Sequence, residues 1–257
     1  VKIFIVNLAK DALRRDAILQ QCSRMGLEAE IISAVDGRLF SANEISALTH
    51  PRYAAGMTPG EIGCSLSHHS IYRKIVAENI DCALILEDDV ALTASLPDVL
   101  AWYRGRQNKQ PEVVLLSEAD KYVRKPCDVI NNCHQVVKVT EAVFTHAYIL
   151  NKAAAEKLSA FLYPIWLEAD RWTLLREYGL VNLKAVIPPV GLHSELSHTS
   201  TIWVGDEEVM KRKKVETHRS ATFKLIKKDR PFWIKLKNAY WRIFVRKFLP
   251  IENGRLQ

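Results

Sequence analysis

The chain has 257 residues, 48% of them hydrophobic and 25% charged, an ordinary globular composition that excludes a wholly disordered, collagen-like or small disulfide-stapled protein. Its length suits one full domain with appendages, or two small ones. The net charge of +7 is uneven: from Met210 onward fifteen Lys and Arg face three acids, a net +12 that leaves −5 for the first 209 residues, so a mildly acidic body carries a strongly basic tail suited to an anionic surface.

KIFIV (2–6) predicts a first strand rather than a signal peptide, because it lacks the longer apolar stretch and the small-residue cleavage site. A polar helix follows over 11–26, with Ile18, Leu19, Cys22 and Met25 at three- and four-residue steps and Gly26 where a helix C-terminus expects it. A second strand spans 29–35 and closes in the turn Asp36-Gly37. Residues 58–79 read as a loop entering a long helix, with Leu66, Ile71, Ile75 and Val76 as its buried stripe. The apolar run 82–90 ends in three carboxylates; further apolar runs occupy 112–117 and 143–150, and helices are expected over 151–162 and 170–179. The polar stretch 205–231 reads as a linker or surface helix. Strands interleaved with helices predict an α/β sheet with helices on both faces, divided into a body (1–205) and a basic helical C-terminal region (206–257). Five cysteines (Cys22, Cys64, Cys82, Cys127 and Cys133), odd in number and without a CxxC pair, suit the reduced thiols of a cytosol. No run of eighteen apolar residues suggests a membrane span.

The sharpest local signal is Glu87-Asp88-Asp89 at a strand end. Adjacent carboxylates repel, and strands disfavour Asp. A hard divalent cation relieves this with oxygen ligands, and ligands of open α/β sheets gather at the carboxyl ends of strands. Strand alternation puts Glu87 and Asp89 on one side and Asp88 on the other. The alternative is a solvated strand end with Asp88 or Asp89 capping the next helix.

Four segments in order, IVNLAKDALRR (5–15), SAVDG (33–37), TPGEIGCSLSHHSIYRKI (58–75) and ILEDDV (85–90), resemble glycosyltransferase family 25, with THAYIL (145–150) and the Asp of LEADRW (167–172) as weaker counterparts. The family comprises bacterial lipooligosaccharide galactosyl- and glucosyltransferases related to collagen galactosyltransferase domains. The resemblance implies a GT-A-like nucleotide-sugar fold over residues 1–205 and a divalent metal, typically Mn2+. It makes Glu87 and Asp89 metal ligands beneath the diphosphate of a UDP-sugar, with Asp88 on ribose or acting through water. Asn7, Leu8 and Arg15, just after the first strand, become nucleotide contacts; Arg14 reads as a solvated helix charge. Asp36 either binds uridine hydroxyls or makes an ordinary Asp-Gly turn. Glu61, Ser67 and His68 carry the resemblance in a glycine-spaced loop at a helix start that offers free N–H groups, whereas Cys64 reads as a small buried thiol. His68 is a donor-sugar contact or a core histidine.

An inverting transfer needs a base for the acceptor hydroxyl. Asp170 is the candidate, with Glu168 in reserve; Trp166 and Trp172 either stack on acceptor sugars or belong to the core, with Asp170 then capping the helix over 170–179. His193, ahead of His198, is expected to complete the metal shell, with Ser194, Ser197 and Ser200 nearby for phosphate or sugar. In the tail, Trp233, Leu236, Tyr240, Ile243 and Phe244 share one helical face flanked by Lys235, Lys237, Arg242, Arg246 and Lys247. An interfacial helix on anionic lipid is expected, against a plain packing helix or single-stranded nucleic-acid binding. The combined expectation is a galactosyltransferase using UDP-galactose, with UDP-glucose the rival donor. Its acceptor is a lipid-linked lipooligosaccharide or lipopolysaccharide core, met at the cytoplasmic face of a bacterial inner membrane with no nucleic-acid partner. A basic binding protein on an inactive α/β scaffold is the alternative from another class.

Overall fold

The computed structural model describes residues 1–106, 108–194 and 207–254. The first half of the chain runs β1 (Lys2–Asn7), α1 (Ala12–Arg24), β2 (Glu30–Ser33), α2 (Ala42–Leu48), α3 (Pro59–Ala77), β3 (Cys82–Glu87), β4 (Val90–Leu92) and α4 (Leu96–Arg104). It continues with β5 (Glu112–Leu115), β6 (Lys121–Val123), β7 (Asp128–Val129), β8 (Gln135–Glu141), β9 (Ala147–Asn151), α5 (Lys152–Phe161) and α6 (Trp172–Tyr178). Last come β10 (Asn182–Ile187), β11 (Gly191–His193), α7 (Glu207–Asp229), α8 (Phe232–Tyr240) and β12 (Ile251–Asn253). Ten strands make one mixed sheet in the order β12-β6-β8-β10-β5-β9-β3-β1-β2, with β7 attached to β8; β11 and β4 form a separate pair. The α/β expectation holds: this is a large mixed sheet flanked by helices.

Alternation along the central strands builds two cores. Phe4, Val6 and Ile85 face α3, α5 and α6, where Ile71, Tyr72, Leu158 and Trp172 pack. Ile3, Ile5, Leu84 and Leu86 face α1 and α4, meeting Ile18, Cys22, Leu96 and Leu100. Because both faces are covered, the central strands read as continuous apolar runs, and each fully buried Ile or Leu contributes about 1.5–3 kcal/mol.

The structure refines the expected elements. Within the loop-into-helix expected over 58–79, the helix starts at Pro59: Thr58 caps α3, its hydroxyl accepting from the Glu61 amide while the Glu61 carboxylate accepts from the Thr58 amide, with Pro59 in the first turn. Leu66 and Val76 are half-buried on that helix, and Tyr72 and His68 take the inner positions. Strand β8, with Lys138 at its centre and Glu141 at its end, is an addition to the expected elements. The C-terminal region adds to the body: Ile226 of α7 belongs to the first core, and β12 pairs antiparallel with β6. Beyond α8 the expected single helix loosens into a π-helical turn, Trp241–Val245, and a short 3-10 turn, Arg246–Phe248.

Candidate active site

β1 lies between two parallel neighbours, β2 and β3. The chain leaves β1 toward β2 but leaves β3 toward the far half of the sheet, so a crevice opens beyond the carboxyl ends of β1 and β3. Val6 pairs in register with Glu87, which brings Asn7 and Leu8 beside Glu87, Asp88 and Asp89. A cleft there is lined by these strand ends, by Arg14 of α1, by Asp36 and Arg38 after β2, and by Gly60, Cys64, Ser67 and His68 of α3.

Asp88 is held on two sides, accepting from Asn7 Nδ2 at 2.7 Å and from an Arg14 guanidinium nitrogen at 3.2 Å. The same arginine is 3.9 Å from Asp89. Asp89 Oδ1 is buried without a hydrogen-bond partner among the described residues. Burial, with the charges of Glu87 and Asp88 and against that of Arg14, pushes the Asp89 carboxyl up to about 6. Burial also raises Asp88, with Asn7 and Arg14 opposing. For Glu87 burial acts upward but is outweighed by His68, Thr145 and His146, which bring its carboxyl down to about 2. Thr145 Oγ1 donates to Glu87 Oε1 at 2.5 Å, and His68 Nε2 stands 3.4 Å from the same oxygen. This crowded, undercompensated anion at a strand end fits a divalent cation.

Arg14, read as a solvated charge, is the arginine that faces the cleft, while Arg15 pairs with Asp16 on the exposed side of α1. The signal was present: Arg14 stands four and eight residues before the buried Ile18 and Cys22, on the same helix face. Asp36 lines the cleft and also caps the turn after β2; bonds from Arg38, foremost, and from Lys10 outweigh burial and hold its carboxyl well below the usual range. Lys10 and Arg38 are thus two cations at the cleft lip that sequence reading missed. Ser67 is a structural pin, its hydroxyl accepting from the Val35 amide at 2.8 Å and donating to Gly63 O at 2.7 Å. Beside it, Gly37 and Gly63 pack backbone to backbone: a Cβ on Gly37 would lie 1.9 Å from Pro59 O, and one on Gly63 2.4 Å from Val35 O. Glu61 is engaged elsewhere, in the α3 cap and with Arg219 of α7 at 2.6 Å.

His193 does not join the acidic group as expected. It sits in β11 opposite Val90, with its ring 4.2 Å from His146 and edge-on to Phe144. Among the described residues, the donor atoms that lie within 4.8 Å of one another are those of Cys64, His68 and Glu87. Ser194 donates its amide to Asp89 O; Ser197, His198 and Ser200 lie outside the described residues. Asp170 is no helix cap, since Arg171 holds that position. Its Oδ1 has no hydrogen-bond partner among the described residues, and burial, opposed by Arg171, raises its pKa with help from Glu168, Glu61 and Glu87. Trp172 is fully buried, donates to Phe144 O and offers no face to a sugar, while Trp166 is half-buried with tilted or edge contacts to Tyr53, Phe161 and Tyr178.

The family model described as "Glycosyltransferase family 25 (LPS biosynthesis protein)" matches residues 1–173, which span β1 to the start of α6 and hold every cleft residue named above. The chain belongs to glycosyltransferase family 25. Among relatives, it is 26% identical over 168 residues to human procollagen galactosyltransferase 2, covering 61% of this chain and 27% of that protein. It is 27% identical over 182 residues to the bovine protein named "Probable inactive glycosyltransferase 25 family member 3", covering 62% and 28%. The family 25 chain thus spans about a quarter of the length of the curated relatives it matches. A solved structure titled as a glycosyltransferase involved in glycosylation of the major capsid of PBCV-1 aligns at 11% identity and a TM-score of 0.33, over 62% of this chain and 63% of that one.

Proposed function

We propose that the chain is an inverting, metal-dependent galactosyltransferase that moves galactose from UDP-galactose to a lipooligosaccharide or lipopolysaccharide core saccharide. One observation carries this reading: three carboxylates at the β1–β3 crevice, one with a buried oxygen lacking a hydrogen-bond partner, in a chain whose family is described by lipopolysaccharide synthesis. The donor sugar follows from the names of the galactosyltransferase relatives. Their likeness to this chain is matched by that of relatives named inactive, so the site rather than the identity supports activity.

A divalent cation such as Mn2+, bound by Glu87 and Asp89, would supply Lewis-acid neutralisation of the departing diphosphate. Asn7 and Arg14 hold Asp88 and orient the acidic turn. Lys10 and Arg38 at the lip suit phosphate oxygens, and Leu8 and Val6 offer an apolar wall for the base. Asp170, its carboxyl raised above its ordinary value by burial, takes the acceptor hydroxyl proton as the anomeric carbon is attacked. Incubation with several UDP-sugars, with manganese or chelator, and assay of UDP release tests this. Manganese-dependent turnover of UDP-galactose is expected; preference for UDP-glucose reassigns the donor, and no turnover of any UDP-sugar with acceptor present overturns the enzyme.

The lipid-linked acceptor and the inner-membrane location form part of the same proposal. Trp233 is 74% exposed, and Phe232, Tyr240, Phe244 and Phe248 are also open to solvent, in a stretch from Arg230 to Lys247 that contains six basic and no acidic residues. No described helix is long and apolar enough to cross a membrane, but this face suits the surface of an anionic one, where each basic residue contributes about 1 kcal/mol. The full chain should sediment with anionic vesicles and not with zwitterionic ones, and Trp233→Ala with Phe244→Ala should weaken it severalfold. Undiminished binding by that double variant would remove the tail from the reading.

A further inference from the structure

The cleft contains a second set of donor atoms, of which only Glu87 has a part in the proposed transfer. Cys64 and His68 stand four residues apart on α3 and so project from one helix face, toward the end of β3. Cys64 Sγ, a ring nitrogen of His68 and a carboxylate oxygen of Glu87 lie within 4.8 Å of one another. His68 is 1% exposed, yet its Nε2 has no hydrogen-bond partner among the described residues. Its other nitrogen, Nδ1, is 2.7 Å from Tyr148 Oη, which in turn is 2.9 Å from Tyr72 Oη. Tyr148 can accept from Nδ1–H while donating to Tyr72, and this leaves a lone pair on Nε2. Ligating imidazoles are commonly pinned in this way through their second nitrogen, and ligating carboxylates by a neighbouring donor, here Thr145 on Glu87. All three residues line the cleft, which gives an ion a path from solvent.

We propose that Cys64, His68 and Glu87 form a binding site for a borderline-soft divalent cation, zinc being the occupant their chemistry favours. A thiolate, an imidazole and a carboxylate select zinc or cobalt over magnesium and manganese. A tetrahedral ion holds its donors roughly 3.5 Å apart; His68 and Glu87 are already at 3.4 Å, so Cys64 has only to close in. Binding replaces the thiol proton, which leaves to solvent, with the metal–sulfur bond. The site needs only these three donors and does not rest on the transferase reading, although it shares Glu87 with it.

The test is titration of the chelator-treated full chain with Co2+, followed by absorbance. The expected result is a near-ultraviolet thiolate-to-cobalt charge-transfer band with the strong visible bands of a four-coordinate ion, abolished by added Zn2+. Cys64→Ser should lose the charge-transfer band, as should Cys64→Ala, each checked for fold by circular dichroism. Asp89→Asn should keep it while losing manganese uptake. Tyr148→Phe should keep the band but bind zinc about 10-fold more weakly. No charge-transfer band in the wild type, or a band that survives both Cys64 substitutions, overturns the site. Manganese-dependent sugar transfer without the cobalt band would overturn it too, and leave the transferase standing.

Discussion

Two groups of carboxylates flank the start of α3, and their surroundings are opposite. On one side Glu61 and Glu168 meet two guanidiniums: Arg219 contacts Glu61 at 2.6 Å and Glu168 at 3.4 Å, and Arg171 contacts Glu168 at 2.8 Å. On the other, Glu87, Asp88 and Asp89 share one guanidinium among the described residues, that of Arg14, at 3.2 and 3.9 Å. The first group is closely paired and ties α7 to the body. The second keeps an excess of negative charge next to a cleft, at a cost in stability that a bound cation would offset. The closeness of the ion pairing, rather than the number of acids, separates a strut from a site.

The largest expected effect tests the second group. Asp89→Asn should lower transfer about 10³-fold, the scale of several kcal/mol of lost charge stabilisation, with circular dichroism unchanged. Near-normal activity would show that the undercompensated charge is incidental. Arg219→Ala tests the first group: it leaves Glu61 and Glu168 short of a counter-charge and should cost ~2–3 kcal/mol, a fall in Tm of about 5–10 °C, with turnover per folded molecule changed less than the Asp89 variant changes it. A full loss of transfer at unchanged Tm would reverse the two assignments. The smallest effect is pH-dependent. The folded Asp89 carboxyl keeps its proton up to about pH 6, against an ordinary value of 3.8, so the folded state binds more protons within that window and gains stability as pH falls through it. In cation-free protein, urea unfolding should show Asp89 adding about 1 kcal/mol on going from about pH 7 to about pH 5. The increment should vanish in Asp89→Asn, and an unchanged difference between the two proteins would mean that Asp89 is not the group perturbed.

Much of this was legible in the chain. The apolar runs over β1, β3, β5 and β9 gave the sheet, and the acid triplet gave the crevice, because both signals are local. Helix phase was legible too but unread, since Arg14 shares the face of Ile18 and Cys22. So was the Thr58-x-x-Glu61 capping pattern, which explains why Glu61 is absent from the cleft. Other features lie beyond local pattern. Arg219 reaches Glu61 across 158 positions, β12 closes on β6 from the far end of the chain, and the pairing of β11 with β4 sets His193 opposite Val90 with its ring against His146. Strand β8 escaped notice because charged residues interrupt its alternation.

The backbone seam between Gly37 and Gly63 has a consequence for reading genetic variation in this protein. A single methyl group at either glycine has no side chain to push aside, only carbonyls and amides, so the helix carrying Cys64, Ser67 and His68 must itself shift. Such an allele would alter no charged or nucleophilic group, yet it would misplace one wall of the crevice and present in assays as a defect of ligand handling.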